Sequence, residues 1–115
     1  MSDLEKRAVK LSTAFFSNMG YEVLDVLDGN KVVKIVARDN ESDQIVFISV
    51  QVRESVFDSD PAEPQRADYE AEACEWLADH DVPDGACRFD AVMLTVVGDG
   101  KAFLRHHINA WGSCV

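Results

Sequence analysis

The sequence predicts an α/β protein: an α+β mixed sheet with helices packed on it, its elements running α-β-β-β-α-β with a further strand at the end. Three observations predict this. Two segments, at about residues 3–19 and 64–80, repeat apolar residues at spacings of three and four, as one face of a helix requires. Three runs rich in Val and Ile lie between residues 21 and 53, separated by polar turn residues. A fourth long apolar run at 87–97 follows the second helical segment, and a strand–helix–strand crossover turns a meander into a mixed sheet.

The first helix opens with Ser2-Asp3-Leu4-Glu5, which has capping-box spacing. Leu4, Ala8, Leu11, Phe15 and Met19 form its apolar stripe, and Gly20 is a natural stop. The first strand is 21–27 (YEVLDVL), with Asp28-Gly29-Asn30 as its turn. The second strand is 31–39 (KVVKIVARD), and 40–43 is turn-like. The third strand is 44–53 (QIVFISVQVR). Alternation puts Val46, Ile48, Val50 and Val52 on one face and Ile45, Phe47, Ser49, Gln51 and Arg53 on the other. That second face turns polar towards its C-terminal end, where the sheet could present a site.

Residues 54–64 hold two prolines and several small polar residues, and read as a connection. Tyr69, Ala73, Trp76 and Leu77 form the stripe of the second helix, with Glu70, Glu72, Glu75 and Asp79 largely off it. Pro83-Asp84-Gly85 ends it. The fourth strand is 87–97 (CRFDAVMLTVV), Gly98-Asp99-Gly100 is a tight turn, and 101–108 is a final strand. Leu11, Phe15, Ile48, Val50, Phe89 and Leu94 are expected in the core.

Residues 1–115 read as a single domain. No run approaches the roughly 20 apolar residues of a membrane span, and the charged N-terminus lacks the apolar core of a secretory signal. A cytoplasmic location is the expectation, with no membrane partner. The three cysteines, Cys74, Cys87 and Cys114, form no C-x-x-C pair. They read as reduced, packed thiols rather than as a disulfide framework. Cys74, His80 and Cys87 fit no common metal-site spacing.

The net charge of −10 is uneven: residues 1–53 sum to −1, 54–81 to −9 and 82–115 to zero. A field of that sign repels phosphate backbones. The acidic second helix, through Glu70, Glu72, Glu75 and Asp79, is either a solvated face or a docking face for a protein partner.

The motifs in order are FFSNMGYEVL at 15–24, IVARD at 35–39, IVFISVQVR at 45–53, ACEWL at 73–77, Arg88-Phe89-Asp90, and HHINAW at 106–111. In order and spacing this set resembles the YraN-like family of predicted endonucleases, within the PD-(D/E)xK, restriction-endonuclease-like superfamily, from about Ala8 to Trp111. The resemblance implies a restriction-endonuclease-like core and a setting in nucleic-acid processing.

It also implies which residues should be catalytic, and those are replaced. Where the family reads GEIDLIA, this chain reads KVVKIVA at 31–37, so Val32 stands for Glu and Lys34 for the metal-binding Asp. The family's E-V-K becomes Ser49-Val50-Gln51, its N-terminal helix Glu falls at Val9, and a Lys opening its second helix falls at Gln65. The chemistry needs carboxylate oxygens to hold a hard cation that activates water. A dication about 4 Å from Lys34 would instead meet repulsion of roughly 8 kcal/mol at an effective dielectric near 20. Shifting the third-strand register by one finds no acid between Ile45 and Val52.

The expectation is therefore a catalytically silent nuclease-fold homologue, not an enzyme, with no metal or cofactor, kept as a binding module. Its ligand would be a protein partner or a second copy, with weak nucleic-acid contact through Lys34, Arg38 and Arg53 as candidate phosphate-binding residues. One alternative is an active metal-dependent endonuclease with a site relocated among Glu22, Asp25, Asp28, Glu54, Glu70, Glu72 and Asp90. Another is a purely structural dimerisation module. His106 and His107, neighbours on a strand, should face opposite ways, one packed and one exposed.

Overall fold

The computed structural model describes residues 3–27, 29, 31–54, 66–80, 87–97, 101–108 and 113–114; Arg66 and 113–114 are described by backbone alone. Helix α1 (Asp3–Asn18) precedes strands β1 (Tyr21–Val26), β2 (Ile35–Asp39) and β3 (Gln44–Arg53). Helix α2 (Arg66–His80) follows, then β4 (Cys87–Val97), β5 (Lys101–His107) and β6 (Ser113–Cys114). The sheet order is β1-β2-β3-β4-β5, with β6 pairing to β4. Among the described residues, β3 and β4 run parallel and the other pairs are antiparallel. A parallel pair needs a long crossover, and α2 lies on it. The mixed α/β sheet and its helical crossover are as the sequence predicts. The Ser2 cap, Asp28 and Asn30, most of the 54–64 connection, Gln65, and the turns at 83–85 and 98–100 lie outside the described residues.

Among the described residues, each sheet face carries one helix. On one side, Val9 and Phe16 of α1 pack over Ile35, Ala37, Val46, Ile48 and Val92. On the other, Tyr69, Ala73 and Trp76 of α2 pack over Val33, Val36, Ile45, Phe47, Cys87 and Phe89. The alternation read in β3 therefore sorts its side chains correctly, and so does the α2 stripe.

The α1 stripe is displaced. Ala8, Val9, Ser12 and Phe16 are buried, whereas Leu11 is 52% exposed and Met19 44%. Phe15 and Val50, also expected in the core, are half-buried; Ile48, Phe89 and Leu94 are buried as expected. The Ser12 hydroxyl donates to the Ala8 carbonyl at 2.8 Å, so a small side chain with its polar atom satisfied inside the helix can meet the sheet.

Two irregularities shape the α2 side. β2 begins at Ile35, not at residue 31. The Val32 and Val33 amides donate to the Glu72 carboxylate of α2, at 3.0 and 2.9 Å. In β1 the register slips between Val23 and Asp25, so that Asp25 faces Val36. Simple alternation would leave Asp25 on the α1 side with Tyr21 and Val23; the bulge turns it to α2, where it accepts from Trp76 Nε1 at 2.9 Å.

The cysteines differ from expectation. Cys74 is exposed and free, and Cys87, 3% exposed, is disulfide-bonded. Pairing of β6 with β4 sets Cys87 opposite Cys114 in the ladder, a proximity of strands that spacing along the chain does not disclose.

Candidate functional site

Of the positions that the resemblance marks as catalytic, Ser49 lies on the α2 side of β3 by alternation with Phe47, and Val32 and Lys34 precede β2. Ile35 opposes Ile48, and the Lys34 amide donates to the Ile48 carbonyl at 2.9 Å, so the Lys34 backbone lies at the Ile48–Ser49 peptide. Gln51 shares the Ser49 face by alternation. Lys34 is 9% exposed and its Nζ donates to the Gly29 carbonyl at 3.0 Å; Ser49 is 1% exposed. Val32 is half-buried, and Val9 is buried on α1, across the sheet from Ser49. An ammonium, a hydroxyl and a carboxamide do not fit a divalent cation, which takes anionic oxygen. Among the described residues, no group of three or more His, Cys, Asp or Glu is arranged to hold a metal.

The acids available to a relocated site are mostly engaged. Glu22 pairs with Arg38 at 3.5 Å. Asp25 accepts from Trp76 and from the Val26 amide, with His80 Nε2 3.7 Å away. Glu72 holds the amides of β2. Glu54 and Glu70 are exposed, and Asp28 is outside the described residues. One D-x-K triplet does occur, Asp99-Gly100-Lys101, but only Lys101, at the start of β5, is described.

Asp90 belongs to a buried polar cluster that sequence reasoning did not assemble. Arg88 Nε and Nη2 donate to the two Asp90 oxygens at 2.8 and 3.0 Å, and Nη1 to Asp39 Oδ2 at 3.0 Å. Nη2 also donates to the Tyr21 hydroxyl at 2.7 Å, and His106 Nε2 lies 2.7 Å from Asp90 Oδ2. Strands β1, β2, β4 and β5 thus share one guanidinium-centred network on the α1 side, at 0% exposure for Asp90. Burial opposes the charge on Asp39, but hydrogen bonds from the Glu41 amide, Arg88 and Ser42 outweigh it and hold the carboxyl below its ordinary range. Burial pushes the Tyr21 hydroxyl up, against the opposing bond from Arg88. Burial works against the charged guanidinium too, yet the Asp90 carboxylate, Tyr21 and Asp39 raise Arg88 above its usual value. The available signal was parity: Arg88, Asp90 and His106 each face the side of Val92 and Leu104. As expected, His106 is packed, against the edges of Phe15 and Phe16, and His107 is exposed.

The grouping of Lys34, Arg38 and Arg53 as a phosphate-binding patch is not what the register gives. Arg38 opposes Ile45, eight positions along β3 from Arg53, or about 26 Å at strand rise. Arg38 also pairs with Glu22, and Lys34 is turned to Gly29. Arg53, at the C-terminal end of β3, donates from Nε to Thr95 Oγ1 at 2.9 Å. The acidic face is likewise smaller than Glu70, Glu72, Glu75 and Asp79, since Glu72 turns inward; the other three are exposed.

Beyond α2, the same face continues across three strands. Ser49, Ala91 and His107 form one row, Gln51, Met93 and Arg105 the next, and Arg53, Thr95 and Phe103 a third. Compared with known proteins, the chain matches no family model and no curated protein.

Proposed function

We propose that this chain is a non-cleaving binding module built on a restriction-endonuclease-like core, related in its pattern to the YraN-like proteins. The observation that carries the reading is Lys34. At the position where the resemblance calls for a metal-binding carboxylate, an ammonium is folded onto the Gly29 carbonyl, and the Lys34 amide bonds to Ile48, the residue before buried Ser49. The helix, three-strand meander, helical crossover and parallel fourth strand support the core, because this order sets the second and third strands side by side where the family's carboxylates would meet. What remains on that face is a half-buried polar surface suited to binding.

Incubation with Mg²⁺ or Mn²⁺ and labelled single-stranded, duplex and branched DNA tests the reading. The expected outcome is no cleavage at enzyme-level or stoichiometric protein. Metal-dependent cleavage that survives Lys34→Ala and Ser49→Ala would refute it in favour of a relocated site. The exposed Glu70, Glu75 and Asp79 favour a second reading, a basic protein partner on α2. Light scattering together with crosslinking to a basic peptide checks it, with loss of the crosslink in the triple Ala variant as the expected result.

A further inference from the structure

We propose that the face formed by the C-terminal halves of β3, β4 and β5 binds single-stranded nucleic acid, with Phe103 as a stacking platform and Lys101 and Arg105 on the phosphates. This rests on the binding-module reading above and names its ligand. Alternation along β5 places Lys101, Phe103, Arg105 and His107 on one face, so the ring is bracketed on its own strand by two cations, each about 7 Å away. Register sets Arg53, bonded to Thr95, in the same row as Phe103. Phe103 is 65% exposed, the largest exposure among the described large apolar residues.

The charge of this surface runs against that of the chain. The described residues facing this way beyond α2 are Ser49, Gln51, Arg53, Ala91, Met93, Thr95, Val97, Lys101, Phe103, Arg105 and His107, and none is acidic. A protein of net charge −10 thus carries Lys101 and Arg105 on either side of one outward aromatic ring on a single sheet surface. Screening limits the reach of acids on other elements to about 10 Å at 0.1 M salt, so the charges that compete locally are Glu54, next to Arg53, and Asp99, two residues before Lys101.

The aromatic ring selects the class of polyanion. A ring lying on a sheet is matched by an unstacked base, and duplex base faces are already occupied by their neighbours. A membrane surface would call for a larger cluster of basic residues than this. An acidic peptide would satisfy the cations and leave Phe103 unused.

Fluorescence anisotropy with a labelled oligothymidylate, at low and physiological salt, tests the proposal, with duplex DNA and polyglutamate as comparison arms. The single strand should bind best, with log K falling against log salt at a slope of about −1.4, from two phosphates at roughly 0.7 each. Phe103→Ala should weaken binding about tenfold and Phe103→Trp should restore it. Lys101→Ala and Arg105→Ala should each lower the salt slope, while Lys10→Ala, on exposed α1, should change nothing. Equal binding of duplex or polyglutamate, or a Phe103→Ala variant that binds as the parent does, would overturn the proposal. So would absence of binding at low salt, which leaves the non-cleaving reading intact. Cleavage of the bound strand would instead overturn that reading and not the surface.

Discussion

Arg88 is the residue on which the sheet's charge balance turns. It is 8% exposed and contacts groups from β1, β2 and its own strand, while Asp90 beside it has no exposure and also meets His106. Arg88→Met would leave two carboxylates buried near each other without their shared cation. Breaking a buried pair from one side costs about 3–5 kcal/mol, more than the pair itself contributes. Urea unfolding at pH 7 should show a loss of that size. The loss should shrink in acid, and the sign follows from Asp39. Its carboxyl is held below the ordinary 3.8, so its contribution is present above that pH and disappears as pH falls through the lower folded value. Arg88 supplies part of that depression, so the gap between parent and variant should begin to narrow below about pH 3.8. A difference in midpoint that is the same at pH 3 and pH 7 would show that Asp39 does not feel Arg88.

At the scale of elements, Glu72 joins α2 to the irregular entry of β2. Its two oxygens take the Val32 and Val33 amides, which have left the ladder. An unsatisfied buried donor costs about 1–3 kcal/mol, so Glu72→Ala should destabilise by roughly 2 kcal/mol, whereas exposed Glu75→Ala should stay within about 0.5 kcal/mol. Hydrogen exchange at the Val32 and Val33 amides should speed up in the first variant and not in the second. The same elements mark how far the sequence was legible. The order of elements along the chain, the crossover and the bounds of β3 and β4 follow from composition and period. The α1 face was misplaced because Leu11 and Met19 outrank Ser12 in hydrophobicity, while the close contact of helix and sheet favours a small residue bonded to its own turn. The side taken by Asp25 was hidden by a bulge that breaks period 2. The spread of Lys34, Arg38 and Arg53 depends on register, which only pairing reveals. The Arg88 network needed residues from four strands to be brought together, although the parity of three of them could be read.

For the molecule as a whole, the reading of a dismantled metal site makes a constructive prediction. If positions 34 and 49 occupy the place of the family's carboxylates, Lys34→Asp with Ser49→Glu should create a divalent-ion site before any activity returns. Lys34→Asp should contribute most, since it removes an ammonium and adds a ligand in one step; Val32→Glu and Gln51→Lys would complete the pattern. The cost is structural. Ser49 is 1% exposed, and inserting a larger side chain at such a place costs about 1–3 kcal/mol. Loss of the Lys34 bond to Gly29 adds about 1 kcal/mol. The double variant should therefore be less stable than the parent without metal and should regain stability as Mn²⁺ is added, because an ion that binds only the folded state shifts unfolding by mass action. Calorimetry and thermal unfolding read the two effects separately. A folded double variant that neither binds Mn²⁺ nor is stabilised by it would mean that Lys34 and Ser49 do not stand where the carboxylates of a restriction-endonuclease-like site would stand. The resemblance would then describe the order of strands and not the lineage of the site.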